Sequence, residues 1–322
     1  MKNKRSTAAL FAMALAWCYC VHAQESAGGP FTLVSAFPAG SGNDLVARAV
    51  APALGEILGQ PMIVDNRPGA GGAIGAQHVA RARPDGRTLF LASLSFSVLP
   101  SLMSLSFDPA KDFEAVMLLG EQGMAFVVPA ELPVGSMKDL VALAKARPGQ
   151  LNYASAGVGS IGHLTGELLK SEQGLNIVHV PFKGTPEALQ SVITGEVQMS
   201  LVAMPAAEPQ IKAGKVKAIA IASDARLPAV PEVPTFVESG VPGFLSSSWA
   251  MLMAPAATPR DVVERLSSEA GKAIKSADMQ AKFVNMGVVG IGNTAAEAET
   301  FLRTEVHKWG KVVKDANVKI DQ

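Results

Sequence analysis

The chain has 322 residues, of which 48% are hydrophobic and 17% are charged, so it can bury a large core. This length suggests two domains. The 28 basic residues balance the 28 acidic ones, which argues against nucleic acid as a partner, because domains that bind nucleic acids usually carry a basic excess.

The N-terminus has the pattern of a secretory signal. Three basic residues within the first five precede an apolar run at 8–21, and small residues suited to cleavage ("VHA") follow at 21–23. Because the run is too short to span a membrane, we expect residues 1–23 to be a cleaved signal peptide. Cleavage leaves 25 basic and 28 acidic residues, a net charge of about −3.

Both cysteines, Cys18 and Cys20, fall inside this segment. The mature chain is therefore expected to have no disulfide, no thiol nucleophile and no cysteine metal site. Export without disulfides in a chain of this size indicates a bacterial periplasmic protein. Lipidation of one of the two cysteines is an alternative, although Trp17 or Tyr19 directly before the cysteine fits such a signal poorly.

Strand-like and helix-like runs alternate from residue 31 onward. The first region predicts strands at 31–37, 61–66 and 88–93, with amphipathic helices at 43–59 and 71–82 between them. Such alternation indicates a parallel sheet with crossover helices.

The pattern restarts after Pro133. The later predicted elements are a helix at 137–146, a strand at 151–156, a helix at 161–172, a strand at 176–180, a helix at 186–195, strands at 197–203 and 216–223, a Pro-rich loop or crossover at 227–236, an apolar run at 248–255, and helices to the end. We therefore expect an α/β fold of two lobes, with residues 24–123 and 224–322 in the first and 124–223 in the second.

Three glycine-rich loops follow predicted strands and open predicted helices. They are "FPAGSGND" (37–44), "RPGAGGAIG" (67–75) and "SAGVGSIGH" (155–163). Glycine lets the backbone approach a ligand closely, and the first N–H groups of a helix have no internal partner. The helix dipole adds partial positive charge there. With a mature charge near −3, any anion site must be local, and these loops are the candidates.

A dinucleotide-dependent enzyme is the main enzymatic alternative. Gly157, Gly159 and Gly162 spell G-x-G-x-x-G between a strand and a helix. That fingerprint also needs an acidic residue at the end of the next strand, where this chain has Lys183. Export further argues against a nicotinamide enzyme, and no P-loop spacing occurs.

Hydrolase and metal chemistry have weaker support. Ser160 and His163 lie three positions apart, as a nucleophile and its base could, but Ser160 lacks the nucleophile-elbow spacing. Such a serine more often caps a helix, and such a histidine packs or lines a pocket. The remaining histidines lack metal-ligand spacing. We expect no enzymatic activity, no cofactor and no metal.

The start of the first helix has two interpretations. Asn43 could be its N-cap, with Asp44 stabilised by the helix dipole. Alternatively, Asp44 holds the loop 37–42 in shape while Asn43 or Ser41 contacts a ligand. Lys183 is likewise either a solvated charge or a ligand partner.

Seven motifs in order over nearly the whole mature chain resemble one family. They are "FPAGSGNDLVAR", "GQPMIVDNRPGAGGAIGA", "PDGRTL", "KARPGQLNYASAGVGSIGHL", "HVPFKGTPEAL", "IKAGKVKAIA" and "HKWGKVVKDA". Together they resemble the Bug family, the extracytoplasmic solute-binding proteins of tripartite tricarboxylate transporters.

The resemblance implies a two-lobed periplasmic binding protein fold, type II-like, with two mixed, mostly parallel sheets flanked by helices and crossover strands at a hinge. It implies a periplasmic monomer that captures a small mono- or dicarboxylate, aromatic or aliphatic, and delivers it to membrane permease subunits. A periplasmic sensor that contacts a membrane signalling partner would have the same cleft, so this alternative stays open.

The resemblance also implies the binding residues. The family holds a carboxylate between the first strand–helix loop and a facing loop of the second lobe, through amides, hydroxyls and ordered water. In this sequence the first loop supplies Phe37, Pro38, Ala39, Gly40, Ser41, Gly42, Asn43 and Asp44, and the facing loop supplies Ser155, Ala156, Gly157, Ser160 and His163. Ser93, Ser95, Pro181, Phe182 and Lys183 would border the same crevice.

Two positions depart from the family pattern. Ser41 replaces the usual glycine of the first loop, and Val202 and Ala203 stand where members often carry an Asp-Asn pair. Without that acid and amide the pocket becomes more apolar. We therefore predict a ligand that lacks an amino group.

Overall fold

The computed structural model describes residues 29–223, 225–227, 230–241, 247–315 and 318. The predicted signal peptide, with Cys18 and Cys20, lies outside the described residues. The strands are β1 Phe31–Ser35, β2 Met62–Asn66, β3 Thr88–Ser93, β4 Phe113–Gln122, β5 Met124–Pro129, β6 Asn152–Ser155, β7 Val178–Pro181, β8 Met199–Ala203, β9 Val216–Ala222, β10 Ser248–Pro255 and β11 Val288–Gly290. The helices are α1 Gly42–Leu58, α2 Ala73–Ala80, α3 Leu94–Leu102, α4 Met137–Ala146, α5 Ile161–Gln173, α6 Thr185–Ile193, α7 Met204–Lys212, α8 Arg260–Lys275, α9 Ala277–Asn285 and α10 Ala295–Asp315.

The strands among the described residues form two sheets. One has six strands in the order β11-β4-β10-β3-β1-β2, and the other has five in the order β7-β6-β8-β5-β9. We call the elements packed on the six-stranded sheet the first lobe and those packed on the five-stranded sheet the second lobe. In each lobe, the strand that arrives from the other sheet (β10 or β5) lies between two strands of that lobe. Apart from β11, the two sheets have the same strand order.

The predicted α/β fold with two mixed sheets is confirmed, but parallel pairing does not predominate as expected. Among the described strands, four pairs are parallel and five are antiparallel. The reason is the crossover strands. Because β10 and β5 each enter a sheet from the opposite lobe, they run against both of their neighbours.

Helices cover both faces of each sheet. In the first lobe, α1, α8 and α9 pack on one face, and α2, α3 and α10 pack on the other. In the second lobe, α4 and α5 cover one face, and α6 and α7 cover the other. Helix α10 contacts α3 and β4 of its own lobe and also α5 of the second lobe.

The chain passes between the lobes at two places. Only Gly123 separates β4 from β5, and β9 leads back to β10 through residues 223–247. A Cβ atom on Gly123 would lie 2.4 Å from Cδ1 of Leu227 in that returning segment. Glycine at position 123 therefore lets the two connections lie close together.

Aromatic packing fixes the position of α3. Phe96 of α3 packs against Phe90, Phe107 and Phe113, with ring centroids 5.0–6.1 Å apart. Such contacts add to the stabilisation from burial alone. In the described ranges, no helix has both the length and the apolar composition needed to cross a bilayer.

Candidate functional site

A cavity of about 590 Å³ lies between the two lobes. The first lobe contributes the start of α1, the start and inner face of α3, and parts of β4 and β10. The second lobe contributes the start of α5, the start of α6 and the end of β8. Strand ends and helix N-termini therefore converge here, as they do at the ligand sites of open α/β sheets.

The first loop presents the N-terminus of α1 to this cavity. Ser41 is the N-cap, and its Oγ accepts a hydrogen bond from the Asp44 N–H at 3.3 Å. The cap is therefore Ser41 and not Asn43, which lies inside the first turn because the helix begins at Gly42. The N–H groups of Gly42 and Asn43 have no acceptor within the helix, and both residues line the cavity.

Asp44 lies beneath the loop, outside the cavity lining, and is 1% exposed. Its Oδ2 accepts hydrogen bonds from the Gly40 N–H at 2.8 Å and from Arg48 Nε at 2.9 Å. Its Oδ1 accepts one from Asn66 Nδ2 at 2.8 Å, and Asn66 Nδ2 also donates to the Phe37 carbonyl. Asp44 thus ties both ends of the loop together.

The protonation of Asp44 follows from these contacts. Burial alone would raise the pKa of the Asp44 carboxyl, but hydrogen bonds from Arg48, Gly40 and Asn66 outweigh burial and hold the pKa below its usual range. The carboxylate is therefore charged at neutral pH and accepts from every partner at once.

The facing loop presents the N-terminus of α5. Ser160 is the N-cap, accepting from the His163 N–H at 3.4 Å and donating to the Gly157 carbonyl at 2.7 Å. Gly157 and Gly159 have φ angles of +122° and +78°, which residues other than glycine rarely adopt. The loop folds over to leave the first amides of α5, at Ile161 and Gly162, beside the cavity.

Stacked rings support the facing loop from below. His163 Nδ1 accepts the Gly159 N–H at 3.0 Å, and its ring stacks on His179 with centroids 4.0 Å apart. His179 Nε2 lies 2.7 Å from Ser155 Oγ, and the His179 ring also stacks on Tyr153. His163 therefore shapes the loop and does not line the cavity.

Burial keeps both imidazoles neutral. Desolvation lowers the pKa of His163. Desolvation and the neighbouring His163 lower the pKa of His179 to about 4. Of the other ionisable groups near the stack, Glu167 accepts the Tyr153 hydroxyl at 2.6 Å and pairs with Lys170 at 2.7 Å.

We expect acid to destabilise the protein through this stack. Above about pH 6.5 both imidazoles are neutral in the folded and the unfolded chain. Between about pH 6.5 and 4 the unfolded chain takes up protons that the folded chain excludes, so the free energy of unfolding falls, by about 1–3 kcal/mol. Urea unfolding at stepped pH measures this fall.

Two variants separate this effect from general acid denaturation. His179→Gln should flatten the fall in the free energy of unfolding between pH 6.5 and pH 4. The lower limit is the pKa of about 4 to which the stack lowers His179. His307→Gln, on the exposed side of α10, should leave it unchanged. Equal slopes in the wild type and His179→Gln would contradict the interpretation.

The structure brings eight of the predicted residues to the cavity. They are Phe37, Ser41, Gly42, Asn43, Ser93, Ser95, Ala156 and Ser160. The predicted residues outside its lining are Pro38, Ala39, Gly40, Asp44, Ser155, Gly157, His163, Pro181, Phe182 and Lys183. Of these, Asp44, Ser155 and His163 are buried beneath the loops, Phe182 packs against the core of the second lobe, and Lys183 is exposed.

Sequence reasoning missed most of the apolar wall. Leu99, Leu102 and Met103 at the end of α3 line the cavity, as does Trp249 of β10. These side chains are apolar and follow the same periodicity as core residues, so the sequence pattern could not distinguish them from the core. The second glycine-rich loop, at 67–75, lines the cavity with Ala70 and Gly71.

In the ranges that the structure describes, no charged side chain lines the cavity. Of its 33 lining residues, 19 have apolar side chains, 5 are glycines and 9 are neutral polar residues. Within the described part of the chain, no group of three or more His, Cys, Asp or Glu side chains is placed to hold a metal. What the arrangement offers a ligand is backbone amides, hydroxyls and apolar surface.

A family model described as "Tripartite tricarboxylate transporter family receptor" matches residues 46–318. The chain belongs to this family. The resemblance to Bug proteins is thereby confirmed: this receptor is 34% identical over 294 residues to protein BugT of Bordetella pertussis, covering 90% of each chain. It is a solute-binding protein of the periplasmic type.

Two solved structures are similar to this receptor over nearly their full length. MatC from Rhodopseudomonas palustris with bound malate is 32% identical, with a TM-score of 0.72, and the match covers 89% of this chain and 99% of MatC. An R. palustris protein with adipate is 31% identical, with a TM-score of 0.76, and the match covers 92% of this chain and 100% of that one.

Proposed function

We propose that this receptor captures a small carboxylate between its lobes and delivers it to a membrane permease. One observation carries the proposal: the N-termini of α1 and α5, one from each lobe, open onto the same cavity. Each offers first-turn amides without an acceptor in its helix, and each end carries partial positive charge.

This arrangement suits a carboxylate better than a cation or a neutral solute. Preset amide dipoles in a cavity that excludes water interact with an anion more strongly than solvated groups do. Similar structures with malate and adipate support the ligand class. None of the described lining residues has an acidic side chain, which supports a ligand without an amino group.

Capture would use the two connections between the lobes. We propose that residues 24–123 with 224–322, and residues 124–223, move as two bodies about the β4–β5 and β9–β10 connections. A ligand held by both α1 and α5 favours the closed form, because only that form gives it both sets of amides.

Binding without catalysis fits the side chains at the site. The Ser160 hydroxyl donates to the Gly157 carbonyl, and His163 Nδ1 accepts from Gly159. Neither group faces the other as a nucleophile faces its base. We further propose that residues 1–23 are a cleaved export signal and that the mature protein is a periplasmic monomer.

The direct test compares acids with their methyl esters. Thermal shift first screens mono-, di- and tricarboxylates, since a ligand at 100 times its dissociation constant stabilises by about 2.7 kcal/mol. Calorimetry then measures each active acid and its ester, which we expect to bind at least about 100-fold more weakly. Equal affinities, or a shift by a nicotinamide cofactor alone, would contradict the proposal.

Delivery to a permease has its own readout. Deleting the gene should abolish uptake of the compound that binds in vitro, and a plasmid copy should restore uptake. Normal uptake with a lost transcriptional response to the same compound would indicate a sensor instead.

A further inference from the structure

The wall that α3 and the residue after it present to the cavity is apolar. Val98, Leu99 and Leu102 of α3 line it, and their spacing places them on one face of the helix. Met103, directly after the helix, lines it as well. Because Phe96 packs into the aromatic cluster beneath, this face of α3 has a fixed position.

Trp249 adds an apolar ring to the same cavity. It is 1% exposed, and its Nε1–H donates to Glu305 Oε2 at 2.9 Å. That N–H is the only donor of the indole. Because Glu305 is absent from the cavity lining, the indole offers the cavity its ring and no hydrogen bond.

Among the described residues, no cation lines the cavity to pair with a second acid group. Arg48 is bound to Asp44 and Asn66, and Arg67 is bound to Asp65. Neither arginine lines the cavity. Lys183 is exposed and also absent from the lining. A carboxylate placed against the apolar residues of α3 would therefore lose its water without gaining a counter-charge.

The neutral polar groups elsewhere in the lining are few and partly committed. Gln122 uses one amide hydrogen on the Met286 carbonyl, and Ser200 donates to the Ala154 carbonyl. The Ser93 and Ser95 hydroxyls bond to each other at 3.1 Å, and the hydroxyls of Thr185 and Ser248 remain. These few neutral donors replace little of the hydration of a carboxylate.

We infer that the ligand is a monocarboxylate with an apolar body, aromatic or aliphatic. Its acid group lies at the N-termini of α1 and α5, and its body lies against α3 and the Trp249 ring. The inference rests on the proposed function and narrows it, because malate and adipate, the ligands of two similar structures, each carry two acid groups.

The test uses matched pairs that differ only in a second acid group. Calorimetry at pH 7.5 with the purified protein compares hexanoate with adipate, and 3-phenylpropanoate with its para-carboxy derivative. We expect the monoacid of at least one pair to bind about tenfold more tightly or better, which corresponds to 1.4 kcal/mol. Tighter binding of the diacid in both pairs overturns the inference and leaves the proposed function standing.

Failure of the proposed function has a different signature. If no acid of either pair binds, and no carboxylate in the thermal-shift screen does, carboxylate capture itself is wrong. Binding of diacids alone, by contrast, shows a working receptor with a different specificity.

A designed cation tests where the body lies. Met103→Arg, at a partly exposed position directly after α3, should shift the affinity ratio by about tenfold toward adipate, since it supplies the missing counter-charge. Val284→Arg adds the same charge on α9, outside the cavity, at a position that is 64% exposed. A shift that is equal in both variants, or absent from Met103→Arg, overturns the placement of the body.

Discussion

Replacing Asp44 with asparagine is expected to weaken carboxylate binding by about 30-fold or more, which is about 2 kcal/mol. It should also lower the free energy of unfolding by about 2–3 kcal/mol. All three partners of the Asp44 side chain, from Gly40, Arg48 and Asn66, are donors. An asparagine must turn its own NH₂ toward one of them, so at least one donor loses its acceptor and the loop loses its shape.

Asp65→Asn is the matched control for this change. Asp65 pairs with Arg67 at 2.7 Å, and both side chains are more than a third exposed. Exposed pairs contribute about 0–1 kcal/mol, so this variant should bind carboxylate like the wild type. Calorimetry and urea unfolding on both variants check the expectation. Wild-type affinity in Asp44→Asn would show that the loop does not need its buried anchor.

Replacing Glu305 with alanine should lower the free energy of unfolding by about 3–5 kcal/mol. Glu305 is 5% exposed, and its Oε2 accepts from the indole Nε1–H groups of Trp249 and Trp309, both at 2.9 Å. Lys308 pairs with Oε1. Alanine leaves two buried indole donors without an acceptor, and each such donor costs about 1–3 kcal/mol.

Ligand binding should weaken in the same variant, because the Trp249 ring loses the contact that orients it. Glu299→Ala is the control on the same helix, where the partner Arg303 is 3.7 Å away and 67% exposed. Urea unfolding, monitored by tryptophan fluorescence, compares the two. A loss in Glu305→Ala no larger than the loss in Glu299→Ala would contradict the assigned role.

Local patterns predicted many elements well. The amphipathic run at 137–146 and the apolar run at 248–255 coincide with α4 and β10. The first strand was predicted to reach residue 37 but ends at Ser35. Ala36 and Phe37 are apolar as strand residues are, yet they belong to the turn into the first loop.

Strand order depended on long-range pairing that no local pattern carries. β10 lies between β3 and β4, although more than 120 residues separate it from either strand in the chain. The predominance of parallel pairs was therefore overestimated, because β10 and β5 run against their neighbours.

The parts of the candidate site that the backbone forms could be predicted from the sequence. The glycines and small polar residues of the two loops indicated exposed helix N-termini, and both helices do begin there. The histidine at 163 was predicted to contact ligand, but its Nδ1 accepts the Gly159 N–H instead. A histidine four residues after Gly159 can either contact a ligand or accept the Gly159 N–H. Only the conformation of the folded loop decides between these two roles.

Gly42 allows a test of whether main-chain amides bind the carboxylate. Gly42 is the first residue of α1, where proline fits a helix. Ser41 before it has φ −69° and ψ 161°, which suits a residue that precedes proline. A Cβ atom at Gly42 would meet no atom within 4 Å. Gly42→Pro thus removes one N–H, while Gly42→Ala keeps it.

The decisive measurement is the dissociation constant of one bound carboxylate for Gly42→Pro relative to Gly42→Ala. We predict about tenfold weaker binding or more for the proline variant, since an amide bonded to a charged group contributes about 1.5–3 kcal/mol. The alanine variant should stay within about threefold of the wild type, or about 0.7 kcal/mol. Equal affinity of the two variants would mean that the acid group is held by something other than the amide that begins α1.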